Sequence, residues 1–404
     1  MRDFFHQNDP IFFTSHIDGD CVNAHDGQMI HGTFYIWVSV KAASNASITV
    51  NGIPAVLDKS DYTFRAKIPL YGYRNTVCAI DSQNGYRAQI VLYKILEATD
   101  KYCFAVDDCI IFLYDLTREP EKYPSLFDHP LLAPFQKAHE LYGACVHLNL
   151  FYAHDAEGAK DFANHKDYFD LSMMTDRYRS EFEANAHWLT LSYHANANYP
   201  DMPGMVLSPD FFRETMAKAH AEIRRFAGPA SLVPVTNMHW SNSYMEIQQV
   251  FREGGYRFQF DSFRIENEEE PYLGYYGRDG LPGHIRGSGP DAYAQESARS
   301  ANNPGRDLWK DNVEDIFYAG TDMVLNVTDR IPTNQIEAWL DSYLALRPNK
   351  GLVNLMIHEE YFYSDYFAYI PDCGERILKA ISHVYSKGYR GAALEHLLPE
   401  HALI

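Results

Sequence analysis

The chain lacks most of the features that make a protein's class obvious. It has only six cysteines in 404 residues (Cys21, Cys78, Cys103, Cys109, Cys145 and Cys373), and no two stand as CxxC. That spacing excludes a disulfide framework or a zinc ribbon as the organising principle. Cys103, Cys109 and Cys145 sit in apolar, strand-like runs and read as buried thiols, which favours a reducing compartment. No stretch reaches the about 18 apolar residues of a membrane span. The segment Met1 to His6 lacks the apolar run of a signal peptide, so the sequence as given reads as cytoplasmic; a chain trimmed of its signal would be secreted. Basic residues are also scarce, with 35 Lys and Arg against 54 Asp and Glu and a net charge of −19. An acidic chain without a Lys/Arg cluster argues against nucleic acid or an anionic membrane as partner.

Aromatic side chains, by contrast, are abundant. Tyr numbers 29 and Phe 24, within a hydrophobic fraction of 46 % that marks a globular chain. Some of these rings would suit the wall of a sugar-binding cleft, and core packing explains them equally well. The length exceeds one ordinary core and points to two domains. Homo-oligomer formation is left open by the sequence.

Residues 1–98 alternate with period two. Thr33 to Val40 is one strand, and Ser47 to Val50 leads into Asn51-Gly52, a strong hairpin signal repeated at Asn84-Gly85. Short strands separated by turns predict a β-sandwich. From residue 99 the pattern becomes strand, helix, strand. Strands are expected at 102–113, 145–152, 188–194, 232–239, 256–262, 322–328, 352–358 and 389–396. Helices are expected at Pro130–Tyr142, Pro209–Phe226, Tyr244–Arg252, Pro332–Leu346 and Pro371–Lys387. Such alternation implies parallel strands with helical crossovers, a distorted TIM-like (β/α)7-8 barrel. The Gly-, Pro- and Asn-rich stretch at about 264–312 reads as an insertion over the barrel mouth.

The expected strand ends carry side chains that ligate or titrate. They are Asp107 and Asp108; His147 and Asn149, with His154 and Asp155 beyond; Tyr193 and His194; His239 and Trp240; Asp261; Asn326 and Asp329; His358 and Glu359; and Glu395 and His396. In β/α barrels chemistry sits at these ends. Two adjacent carboxylates in the apolar run Tyr102 to Phe112 are costly unless paired, protonated or bound to a metal. A carboxylate with two imidazoles suits zinc or another borderline divalent ion, and a second carboxylate nearby suits a general base. Taken singly, each such residue has a structural explanation, a hydrogen-bonded histidine above all.

Phe104 to Asp108, Tyr193-His194-Ala195 and Leu355 to His358 together resemble the motifs of the polysaccharide deacetylase superfamily. Ile48–Leu57 and Phe64–Pro69 resemble the small Ig-like modules attached to bacterial carbohydrate-active enzymes. The resemblance implies an all-β Ig-like sandwich at 1–98 and a barrel at 99–404 that deacetylates a carbohydrate substrate with a divalent metal, zinc foremost. It assigns Asp107 as base, Asp108 and His194 as metal ligands and His358 as general acid. The family's second metal histidine falls at Asn198, and His239 is expected to replace it. Trp240, Tyr193, Glu359 and Tyr361 are the expected substrate contacts. The alternatives are a metal-independent glycoside hydrolase, pairing Asp107 or Asp108 with Glu359, and a non-catalytic carbohydrate-binding protein.

Overall fold

The computed structural model describes residues 9–241, 243, 245–261, 307–312, 314–327, 331–345 and 347–399. Residues 262–306 of the expected insertion, together with Asp329, lie outside the described residues. The fold is mixed α/β.

The N-terminal part is two antiparallel-rich sheets over one core. The first holds β1 (Ile11–Phe13), β3 (Gly27–Ile30), β4 (Thr33–Ala42), β7 (Val56–Asp58) and β8 (Thr63–Leu70). The second holds β2 (Cys21–Val22), β5 (Ile48–Val50), β6 (Ile53–Pro54), β9 (Arg74–Asp81) and β10 (Arg87–Lys94). Alternation decides which faces meet: Phe34, Ile36, Val38 and Val40 of β4 are buried, in one cluster with Val50, Val77 and Leu92 of the other sheet. Between β5 and β6, Asn51 and Gly52 both take positive φ, +47° and +79°, as the expected two-residue hairpin requires.

The second part is built on parallel strands. β11 (Lys101–Cys109) lies between β12 (Val146–Phe151) and β21 (Leu352–His358), with β15 (Leu189–Ala195) beyond β12 and β20 (Met323–Val324) beyond β21. A second sheet joins β16 (Val235–Asn237), β17 (Phe258–Asp261), β19 (Ile316–Gly320) and the antiparallel β18 (Leu308–Asp311). A parallel bridge from Leu191 to Leu232 links the two sheets at one flank. At the other, the segment 316–324 pairs with β17 through its first half and with β21 through its end. A short hairpin, β13 (Ala153–His154) with β14 (Phe169–Asp170), and the edge pair β22 (Arg390–Gly391) complete the strands.

The helices are α1 (Ile111–Arg118), α2 (Ala133–Tyr142), α3 (Arg179–Asn185), the short α4 (Pro203–Val206), α5 (Pro209–Phe226), α6 (Met245–Glu253), α7 (Ile336–Ala345) and α8 (Cys373–Ser386). On α5, Ser208 accepts from the Phe211 amide as N-cap and Pro209 opens the helix, which fixes the expected start. Strand parity divides the packing. Tyr102, Phe104 and Val106 face the helices, whereas Cys103 and Ala105 face a second core shared with Val235, Phe258 and Phe317. Asp107 continues the Cys103–Ala105 face.

Several expected boundaries are corrected. The strand expected at 102–113 ends at Cys109 because a helix begins at Ile111. The strand expected at 322–328 is only Met323–Val324, and Ile316–Gly320 forms the strand that the sequence reading missed. Leu308–Asp311, read as part of the insertion, pairs with it. None of the six cysteines is in a disulfide. No helix among the described residues is long and apolar enough to cross a membrane.

Where the strands of the two sheets meet, Lys350 is buried between Asp307 (2.8 Å) and Asp322 (2.7 Å). Burial raises the Asp322 carboxyl, with Lys350 opposing it. The ammonium is the cation shared by both carboxylates, so removing it leaves two buried acids without a counter-charge. Lys350→Met is expected to cost about 3–5 kcal/mol in urea denaturation, and an unchanged midpoint would overturn this account.

Candidate metal centre

Consecutive strand residues normally point to opposite faces. At the end of β11 they do not, because the ladder to β12 shifts register between Val106 and Cys109 and Asp108 takes left-handed backbone, φ +61°. Asp tolerates this conformation better than most residues, at a cost of order 1 kcal/mol. As a result Asp107 and Asp108 both line one cleft.

Asp107 is held by two amides. Asn149 Nδ2 donates to its Oδ1 at 2.7 Å, and Asn237 Nδ2 to its Oδ2 at 2.5 Å. Asn149 is itself fixed through Oδ1, which accepts from Ser192 Oγ and the Asn237 amide.

Asp108 Oδ1 lies 3.0 Å from His194 Nε2 and 3.0 Å from His239 Nδ1, and these two nitrogens are 3.1 Å apart. The outer nitrogens define the tautomers. His194 Nδ1 faces the carbonyl of Asn237, and His239 Nε2 faces that of Asn198 at 3.0 Å. Each outer nitrogen must carry a hydrogen to donate, so in the neutral rings the inner nitrogens present lone pairs. Two lone pairs and a carboxylate oxygen then converge on one point, and only a cation can reconcile them. With a proton in that role, burial works to lower His194 but its bond to Asp108 raises it above the ordinary value. Burial likewise works to raise Asp108, and His239 and His194 hold it well below the carboxylate range.

The donor set fits a divalent ion. One carboxylate oxygen and two imidazole nitrogens lie within 4.8 Å of one another, all buried. Carbonyl partners on the far ring nitrogens orient the rings as metal-ligating histidines require. Asn198 supports His239 through its main chain, while its side chain donates to Asp161.

His358 closes the opposite side, with Nε2 4.0 Å from Asp108 Oδ2 and Nδ1 3.0 Å from Asn326 Oδ1. The cleft encloses about 750 Å³ of space continuous with solvent. Trp240, Tyr361, Tyr366 and Phe367 line it.

Two expected substrate contacts are corrected. Tyr193 is fully buried on the helix-facing side of β15, where its hydroxyl meets Thr215 Oγ1 at 2.7 Å; parity opposes it to His194. Glu359 is also fully buried and away from the cleft. Its carboxylate accepts from the amides of Ile110 (2.5 Å), Ile111 (3.0 Å) and Phe112 (2.5 Å), and from Tyr363 (2.7 Å). It caps α1, whose N-terminal amides otherwise lack partners. Burial nevertheless pushes its pKa up to about 7 against those bonds. The paired-carboxylate arrangement with Glu359 is therefore lost, and Glu360, passed over in the sequence, faces the cleft instead. His147 is structural, bridging Thr190 and Ser192. The Asp261 side chain lies outside the described residues.

The chain matches no known family model. No curated protein matches it either. Remote likenesses exist among solved structures. The 4-alpha-glucanotransferase of Thermococcus litoralis is 8 % identical, with TM-score 0.43 over 74 % of this chain and 40 % of that one, so this chain spans less than half its length. A CE4 family pseudoenzyme from Bacillus anthracis is 11 % identical, with TM-score 0.34 over 86 % of this chain and 89 % of that one. Agd3, a carbohydrate deacetylase, is 6 % identical, with TM-score 0.38 over 95 % of this chain and 73 % of that one.

One cleft wall is a pair of loops fastened by charge. Ala163 donates its amide to the Asp365 carbonyl and Phe367 to the Asp161 carbonyl. His165 bridges Asp115 on α1 (3.0 Å) and Asp365 (2.9 Å). Burial lowers its pKa, but the two carboxylates prevail and raise it to about 8.

Two outcomes follow. Glu359→Ala leaves three amides uncapped and is expected to cost about 1–3 kcal/mol in denaturant titration; an unaffected variant would contradict the cap. His165 binds its proton more tightly folded than unfolded, so its contribution, about 1 kcal/mol, is complete below about pH 6.5 and is lost as pH rises through about 8. His165→Gln should flatten that part of the stability profile between pH 6 and 9, and a profile identical to wild type would refute the bridge.

Proposed function

We propose that this chain is a metal-dependent hydrolase that removes an amide- or ester-linked acyl group from a polysaccharide or oligosaccharide. Its catalytic unit, on this reading, is a distorted (β/α)7-8 barrel spanning 99–404, preceded by an Ig-like module at 1–98. The strand order, the two links between the parallel sheets and the division into inner and helix-facing residues support the barrel. The single observation that carries the activity is the convergence of Asp108, His194 and His239 with both imidazole lone pairs turned inward.

Asp108, His194 and His239 would hold the ion, zinc foremost. When bound, such an ion supplies Lewis-acid chemistry and lowers the pKa of water toward neutrality. Asp107 is the base. The Asn149 and Asn237 amides fix both its oxygens without supplying a positive charge, so its orientation is set while the carboxylate remains free to accept a proton. His358, on the far side of Asp108, is placed to give a proton to the leaving amine or alcohol, its ring oriented by Asn326. Trp240 and Tyr361 flank the opening and offer apolar faces to a sugar ring.

Elemental analysis of the purified protein should find near-stoichiometric divalent metal, lost in Asp108→Ala and His194→Ala. Asp107→Asn should keep the metal while turnover of acetylated saccharides falls by about 10²–10⁴-fold. Metal-free wild type that takes up no ion on dialysis would sink the reading. Undiminished turnover in Asp107→Asn would remove that residue as base.

A further inference from the structure

Glu360 is 6 % exposed and follows His358 and Glu359 in the 3-10 turn closing β21. It lines the cleft together with Asp108, His194 and His239. With Asp108 it also borders a shallow recess beside Ile110, Phe151 and His154. The two carboxylates thus stand in one wall. Glu360 Oε2 is buried and meets no donor from another residue, its carboxyl neighbour being Asp108, and neither the cleft nor the recess is lined by a lysine or arginine. A buried carboxylate oxygen left so is costly unless it takes a proton or a cation shares the space.

Its position is imposed by its neighbours. The Glu359 carboxylate is fastened to the start of α1, and the Tyr363 amide donates to the Glu360 carbonyl at 3.1 Å. Asp108 is the one carboxylate in the tight group with the two imidazoles. Asp107 is held by the two asparagine amides, so Glu360 is the carboxylate of this wall with no built-in donor.

We propose that Glu360 is a further carboxylate of the metal centre, standing outside the tight group of Asp108, His194 and His239 and adding negative charge that strengthens the hold on a divalent ion. This rests on the metal-centre reading above. It adds a residue that no histidine or Asp-pair pattern selects.

Calorimetric titration of the metal-stripped protein with zinc tests it, using wild type, Glu360→Gln, Glu360→Asp, His194→Ala and Asp201→Asn. Asp201 lines the same cleft but is exposed. Glu360→Gln should bind zinc about 10–100-fold more weakly, Glu360→Asp should retain much of the affinity, and Asp201→Asn should match wild type. Metal-free Glu360→Gln should melt no lower than wild type, since it removes a buried carboxyl that sits against Asp108 with no lysine or arginine beside it, while its zinc-induced rise in Tm shrinks. Zinc affinity in Glu360→Gln equal to wild type would overturn the proposal with the metal centre intact. An equal loss in Asp201→Asn would overturn it in favour of general cleft charge. A wild type that binds no zinc would defeat the metal-centre reading itself, which is a distinguishable result.

Discussion

Asp108 Oδ1, His194 Nε2 and His239 Nδ1 approach within about hydrogen-bond distance while the outer ring nitrogens are committed to main-chain carbonyls. All three inner atoms are then acceptors, and the arrangement is tenable only around positive charge. Much of the surrounding structure serves that meeting. The left-handed backbone at Asp108 turns its carboxylate into the cleft. The carbonyls of Asn237 and Asn198 set the rings, and the Asn149–Asn237 pair keeps Asp107 beside them without adding a cation of its own. The polar side chains of β12, β15 and β16 are in this sense a scaffold for one charge.

The framework around the metal group handles charge in the opposite way. Lys350 is neutralised by Asp307 and Asp322, and Glu359 by helix amides. His165 lies between two carboxylates. In each case the partners are built in, so the framework's charges are closed. At the cleft they are left open, and buried carboxylates left open are characteristic of binding or catalytic sites.

Part of this was legible in the sequence. The Asp pair, His194 and His239 were singled out because they end apolar runs, and the structure brings them to one cleft; α5 was read because Ser208, Pro209 and Gly228 punctuate it. Tyr193 was misplaced although strand alternation, applied strictly, sets it opposite His194. Glu359 and Glu360 could not be told apart: adjacent identical residues carry no signal of facing once the strand gives way to a 3-10 turn. The strand Ile316–Gly320 was missed because it is short and follows a stretch whose composition reads as loop. Asn198 looked like the loss of a ligand. Its contribution comes through its carbonyl, which side-chain identity does not report.

The turn after β21 sets three neighbouring side chains to three tasks: His358 faces the cleft, Glu359 seals α1, and Glu360 enters the wall beside Asp108. A 3-10 turn advances about a third of a revolution per residue, so position along the chain is converted directly into direction. Substitution here alters one task at a time. Gain or loss of a single residue would rotate all three at once, unsealing a helix and withdrawing an acid from the cleft in the same event. Chain length across 358–360 is therefore under tighter restraint than the identity of any one residue in it.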